Sequence, residues 1–251
     1  MANHFRAIGL PIDSDASLMA LVERVAPTAD AVEVEGGVYL LWRSDLLCRG
    51  DVGGELWLQV VGDGLVGLNP HFVGPARLYA NILHRVEYED DSELDGAWYA
   101  WANPSEEEGD YPFVFSAPDA RRLDDLQLPL RCWLQIAVFA HELAVAPTYD
   151  ALPSLAEEMQ MAARSAIPVG LFQEDDAPRP LVMYVGEVLA AQRLEEDGGV
   201  FVHLHLVTLG GEVDVVASAE LLAEAPAPGS AVRVLGWVSA RLIRDDEDGV
   251  A

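Results

Sequence analysis

Between Val38 and Pro147 the chain runs through seven short segments rich in β-branched and aromatic residues, each bounded by Gly, Pro, Asn or Asp. They are Val38–Trp42, Glu55–Gly62, Leu65–Pro70, Arg77–Tyr88, Gly96–Pro104, Tyr111–Pro118 and Arg131–Pro147. Segments of this composition, with this punctuation, pair as antiparallel strands more readily than they wind into helices. A sheet then needs a cover, and the best helix signal is "SDASLMALVERVAP" at Ser14–Pro27. Ser14 and Ser17 serve there as caps, Leu18, Leu21, Val22 and Val25 share one face, and Pro27 stops the helix. A second helix is predicted in Tyr149–Ala166, with Leu152, Leu155, Met159 and Ala162 on one side.

Acidic residues and two prolines interrupt the apolar pattern at Gln173–Pro180, which marks a linker over 173–180. Beyond it come a strand at Leu181–Leu194, a strand at Val200–Leu209, a Gly210-Gly211 turn and a strand at Glu212–Ser218. An acidic helical link at Ala219–Ala225 and a last strand at Ala231–Ile243 complete the unit. This strand order, with a glycine inside the first strand and a helix-like insert before the last, resembles the small five-stranded OB-type barrel. The expected class is therefore α+β. A mainly antiparallel sheet domain over 1–172 with one or two helices precedes a small OB-like β-barrel over 181–244, and 245–251 form an acidic tail. The "NPHF" at Asn69–Phe72 and "AHEL" at Ala140–Leu143 resemble features of uncharacterised acidic proteins of high-GC bacteria, and that likeness carries no activity with it.

Fifteen basic residues, all arginine, against 42 acidic ones give a net charge of -27. Phosphate backbones and anionic membrane surfaces need a basic footprint, so neither nucleic acid nor membrane is expected as a partner. No window approaches the roughly 18 uninterrupted apolar residues of a spanning helix, and the first residues lack a basic stretch followed by an apolar run, so a cytoplasmic location is expected. Cys48 and Cys132 form no CxxC pair and read as reduced packing thiols.

Chemistry-bearing motifs are few. Strand alternation places Val202, Leu204 and Leu206 toward a core and Phe201, His203, His205 and Val207 on the outer face. A Gly210-Gly211 loop pairs Leu206 with Val215 and His205 with Val216, with Asp214 diagonal to His205. His203, His205 and Asp214 are then the candidate ligands for a divalent metal, although no cofactor is required by any motif. "HELAV" at His141 lacks the second histidine of HExxH and reads as a strand, and His71 reads as part of a surface turn after Pro70. Nucleophile elbows and glycine-rich phosphate loops are absent from the sequence. On the last strand Arg233, Leu235, Trp237 and Arg241 share an outward face with the composition of a protein contact surface. The expectation is a non-enzymatic protein-interaction module that binds a basic protein partner or a second copy of itself. A metal-dependent enzyme or ligand binder using the His203/His205 face is the alternative.

Overall fold

The computed structural model describes residues 3–89, 91–105, 108–154, 162–172 and 177–243. Among these residues, thirteen strands and two α-helices follow in chain order. Helix α1 (Asp15–Val25) leads to β1 (Asp30–Val34) and β2 (Gly37–Arg43), a short α2 (Asp45–Arg49), then β3 (Gly53–Val61), β4 (Gly64–Val73), β5 (Arg77–Val86), β6 (Ala97–Ala102) and β7 (Tyr111–Ser116). After them come β8 (Leu130–Ala146), β9 (Ser165–Ile167), β10 (Leu181–Glu196), β11 (Gly199–Thr208), β12 (Gly211–Ser218) and β13 (Ala231–Leu242). Every predicted strand segment forms a strand; β1, β9 and α2 are too short to leave a period in the sequence. No helix among the described residues is long and apolar enough to cross a membrane.

Strands β1 to β4 form an antiparallel meander, and the other nine form one mixed sheet. The centre of the large sheet is a long antiparallel ladder between β8 and β13, running from Ala231 opposite Ala146 to Leu242 opposite Leu134. On its other edge β8 pairs first with β5, at Leu130–Gln135, and then in parallel with β12, at Ala137–Phe139. Strand β13 pairs similarly with β10 and, at Ser239, with β7. Because β5–β6–β7 and β12–β11–β10 are each continuous ladders, the pairings close into two rings that share β8 and β13. Strands before and after Gln173–Pro180 thus belong to one sheet.

The length of the apolar run in β8 has a direct cause: both of its faces are covered. Leu134, Ile136 and Val138 point into the main core with Leu78, Phe113, Leu204, Val215 and Val234. Ala137 and Phe139 point the other way, into a second core with Leu56, Leu58 and Phe72 of the small sheet, Leu21 and Val25 of α1, and Phe201 and Val216. Helix α1 starts as its sequence predicts, with the Ser14 hydroxyl accepting from the Ser17 amide at 3.2 Å and the Ser17 hydroxyl accepting from the Ser14 amide at 3.0 Å.

One predicted element differs. Ala219–Ala225 is a turn, not a helical link: the amides of Leu221 and Leu222 both bond the Ser218 carbonyl, and Pro226 and Pro228 follow closely. The centre of the second predicted helix, Tyr149–Ala166, lies on residues 155–161, outside the described residues; to either side Tyr149–Ala151 forms a single 3-10 turn and Ser165–Ile167 forms β9.

Candidate functional site

The β11–β12 hairpin turns one residue earlier than its glycine pair suggests. Thr208 pairs with Gly211 across a Leu209–Gly210 loop, where Gly210 adopts φ +81°. Partners therefore shift by two residues: Leu206 faces Val213, Leu204 faces Val215, His205 faces Asp214 and His203 faces Val216. An even shift preserves the faces, so the division into apolar and histidine-bearing sides stands.

What changes is the environment of the histidine side. The expected outer face is the floor beneath the small sheet, and His203 is buried there. Its Nε2 donates to Asp214 Oδ1 at 2.7 Å and its Nδ1 accepts from Gln192 Nε2 at 3.2 Å. His205 bonds Glu212 at 2.9 Å and not Asp214. Each histidine reaches the carboxylate on the same diagonal of the hairpin, as expected of a twisted antiparallel pair. The two histidines therefore bind separate carboxylates, and among the described residues no group of three or more His, Cys, Asp or Glu is placed to hold a metal ion.

Asp214 anchors a wider seam. Its other oxygen accepts from the Ala76 amide at 3.0 Å and from Gln135 Nε2 at 3.4 Å. The Oε1 of Gln135 faces His71 Nε2, and His71 Nδ1 lies 2.8 Å from the Ser239 hydroxyl. With the Gln135 amide so oriented, His71 donates through Nε2 and accepts from Ser239 through Nδ1. His71, expected in a surface turn, is fully buried within β4, because Pro70 and Phe72 continue the strand against β3. Burial, helped by the nearby Arg241 charge, pulls its pKa down to about 3. A serine beside a histidine has the outline of a nucleophile and its base, but a base works best near the operating pH. An imidazole with so little proton affinity is instead well suited to joining two sheets by hydrogen bonds.

The predicted contact face on β13 divides into three environments. Arg241 lies inward: it bonds Glu55 Oε2 at 3.2 Å, lies 3.8 Å from Asp119, and stacks 4.7 Å over the Trp57 ring. Glu55 is itself 2% exposed and also accepts from Trp57 Nε1 at 3.0 Å. Arg233 donates to the Pro153 carbonyl, and Leu235 is half-buried in the ladder opposite Glu142. Trp237, half-buried, borders a larger open space.

That space is a cleft of about 1160 Å³ bounded by the residues before α1, the start of α1, and strands β4, β8 and β13. Its lining includes His4, Asp13, Asp15, His141, Glu220 and Trp237. Ser239, Asn69 and Pro70 also reach it, so the buried seam ends at the cleft wall. Arg6 bridges the carboxylates of Asp13 and Glu220 at the rim. His4 packs against Trp237 with ring centroids 5.8 Å apart.

No protein-family model matches the chain, and no curated protein matches it.

Sequence reasoning reached His203, Asp214, Trp237 and Arg241 but missed His4, His71, Gln135 and Ser239 as members of the seam and cleft. Gln135 and Ser239 left a signal: each is a polar residue in an apolar strand whose alternate faces are otherwise filled.

Proposed function

We propose that the protein is a non-enzymatic binding module whose cleft receives a basic segment of a protein partner. The observation that carries this reading is Trp237, the one member of the predicted contact face that opens onto the cleft, in a lining that holds Asp15 beside Asp13 and Glu220, the last two bridged by Arg6, and one further arginine, Arg179. The cleft volume of 1160 Å³ exceeds the roughly 300–1,000 Å³ of small-molecule sites and suits an extended peptide. Arg6, held between Asp13 and Glu220, is an internal example of the guanidinium that such a rim accepts. A net charge of -27 adds long-range attraction for a cationic chain.

Calorimetric titration with arginine-rich and glutamate-rich decapeptides tests the reading. The basic peptide binds with an affinity that falls as salt rises, the acidic one does not bind, and Trp237→Ala together with Asp15→Asn removes the signal. Equal binding by that variant, or by both peptides, contradicts it.

A further inference from the structure

His4, in the segment before α1, and His141, on β8, meet in the cleft with their Nε2 atoms 2.9 Å apart. The rings lie within 15° of parallel with centroids 5.2 Å apart, so the two nitrogens sit on the line between ring centres and the imidazoles meet edge to edge. This is a hydrogen bond: one Nε2 carries hydrogen and donates, and the other accepts through its lone pair. Two neutral rings make it as opposite tautomers. One added proton keeps it, since that proton goes to the donor ring's remaining nitrogen. A second proton ends it, because both Nε2 atoms then carry hydrogen and neither accepts.

What the bond holds is one wall of the cleft. Asn3, His4, Phe5 and Arg6 line it, and from Ala7 onward the chain is sunk in the second core through Ile8 and Leu10. Among the described residues, His4–His141 and Arg6–Glu220 are the side-chain ties from residues 3–6 to the large sheet and its turns, and Phe5 adds a partly buried apolar contact. Glu220 is 73% exposed, and an ion pair that open to water contributes little, so the imidazole pair is the stronger polar tie. His4 in turn lies against Phe139 and Trp237, with ring centroids 5.2 and 5.8 Å apart.

Both imidazoles are half-buried, and burial lowers the pKa of each. That of His4 falls to about 4, with His141 adding to the effect. For His141 the chain's amino-terminal charge adds to it and Glu142 opposes it. The other charged groups around the pair are Arg6 on the same segment, Asp13 and Asp15 by α1, Glu220 after β12 and Arg179 before β10. A ring released into water returns to the ordinary 6.5, so below that value the open form binds protons that the closed form refuses, and falling pH favours opening.

We propose that the His4–His141 hydrogen bond is an acid-released latch: it holds residues 3–6 over Trp237 at neutral pH and lets them swing away, widening the cleft, once both imidazoles are protonated. The latch controls entry to the cleft whatever its occupant, so it stands without the basic-peptide reading and is tested on the protein alone.

In protein labelled with nitrogen-15 at histidine, the chemical shifts at pH 7 should show His4 and His141 as opposite tautomers, with scalar coupling between the two Nε2 nuclei across the hydrogen bond. At pH 4.5 the coupling should be gone. Acrylamide quenching of Trp237, taken as the difference between wild type and Trp237→Phe, should rise about twofold or more over the same range. In His4→Ala it should already be high at pH 7. In His141→Gln, whose amide oxygen accepts from a neutral or a charged His4, it should stay low at both pH values. Two rings in the same tautomer without coupling would overturn the hydrogen bond, a result read on the wild-type protein that needs no variant to fold. Quenching of Trp237 that does not change with pH, or that rises equally in His141→Gln through general acid unfolding, would overturn the latch.

Discussion

His203 and Asp214 hold each other inside the protein, with Nε2 and Oδ1 2.7 Å apart and the carboxylate entirely without solvent exposure. They lie on adjacent strands of one hairpin, yet Asp214 also binds the Ala76 amide and Gln135. One side chain thereby joins β12 to β8, to β11 and to the connection between the two sheets.

Replacing Asp214 should show how much that junction contributes. Asp214→Ala leaves three buried donors without an acceptor and should cost about 3–5 kcal/mol, the usual cost of breaking a buried pair. Asp214→Asn keeps one acceptor oxygen and should cost about 1–3 kcal/mol. Urea unfolding measures both, and a loss under about 1 kcal/mol for the alanine variant would mean that the network is not closed.

Acid should weaken the fold through His71. Its pKa is lowered in the folded state to about 3, so between that value and the ordinary 6.5 the unfolded chain binds the extra proton. Its contribution to stability is complete above pH 6.5 and is lost as pH falls toward 3. His4, lowered to about 4, acts in the same direction. Melting temperature should drop steadily from pH 7 to pH 4, and His71→Asn should be less stable at pH 7 but show a shallower fall. Parallel profiles for the two proteins would remove His71 as a source of the pH dependence.

Two glycines offer a contrast. A Cβ at Gly74 would lie 2.4 Å from Asp214 Oδ2, whereas at Gly62, with φ +59°, it would meet nothing within 4 Å. Gly74→Ala must displace the buried carboxylate and should cost about 3 kcal/mol or more. Gly62→Ala bears only left-handed backbone strain, about 1–2 kcal/mol. Thermal or urea unfolding should rank them in that order; the reverse ranking would contradict the placement of Asp214 against Gly74.

Arg241 is expected to act on stability, not on partner contact. Arg241→Met strands the buried Glu55 charge, with only Arg43 at 3.6 Å remaining, and should cost about 3–5 kcal/mol. Adding Glu55→Met should recover most of the loss, because two apolar side chains replace a desolvated ion pair. A double variant no more stable than the single one would mean that Glu55 is not the partner that matters.

The strands and their faces were legible because alternation is local: each residue's side follows from its neighbours along the chain, whatever the strand later meets. That is why Val202, Leu204 and Leu206 point to the main core as the alternation requires, even though the hairpin turns at Leu209–Gly210. The α1 cap was legible for the same reason, since Ser14 and Ser17 satisfy each other within one helical turn.

What covers an outer face is a long-range matter. The histidine side of β11 looked like an exterior because polar residues usually mark one, and only the docking of β3 and β4 turned it into an interior seam. His71 reaches Ser239 across 168 residues of sequence and His4 reaches His141 across 137, separations at which a single sequence carries no pairing signal. The sequence by itself determined a β-rich chain, its strand faces, its capped helix and its strong negative charge. Tertiary structure alone decided which polar residues became buried partners and where a cleft was left, because both depend on which sheet face packs on which.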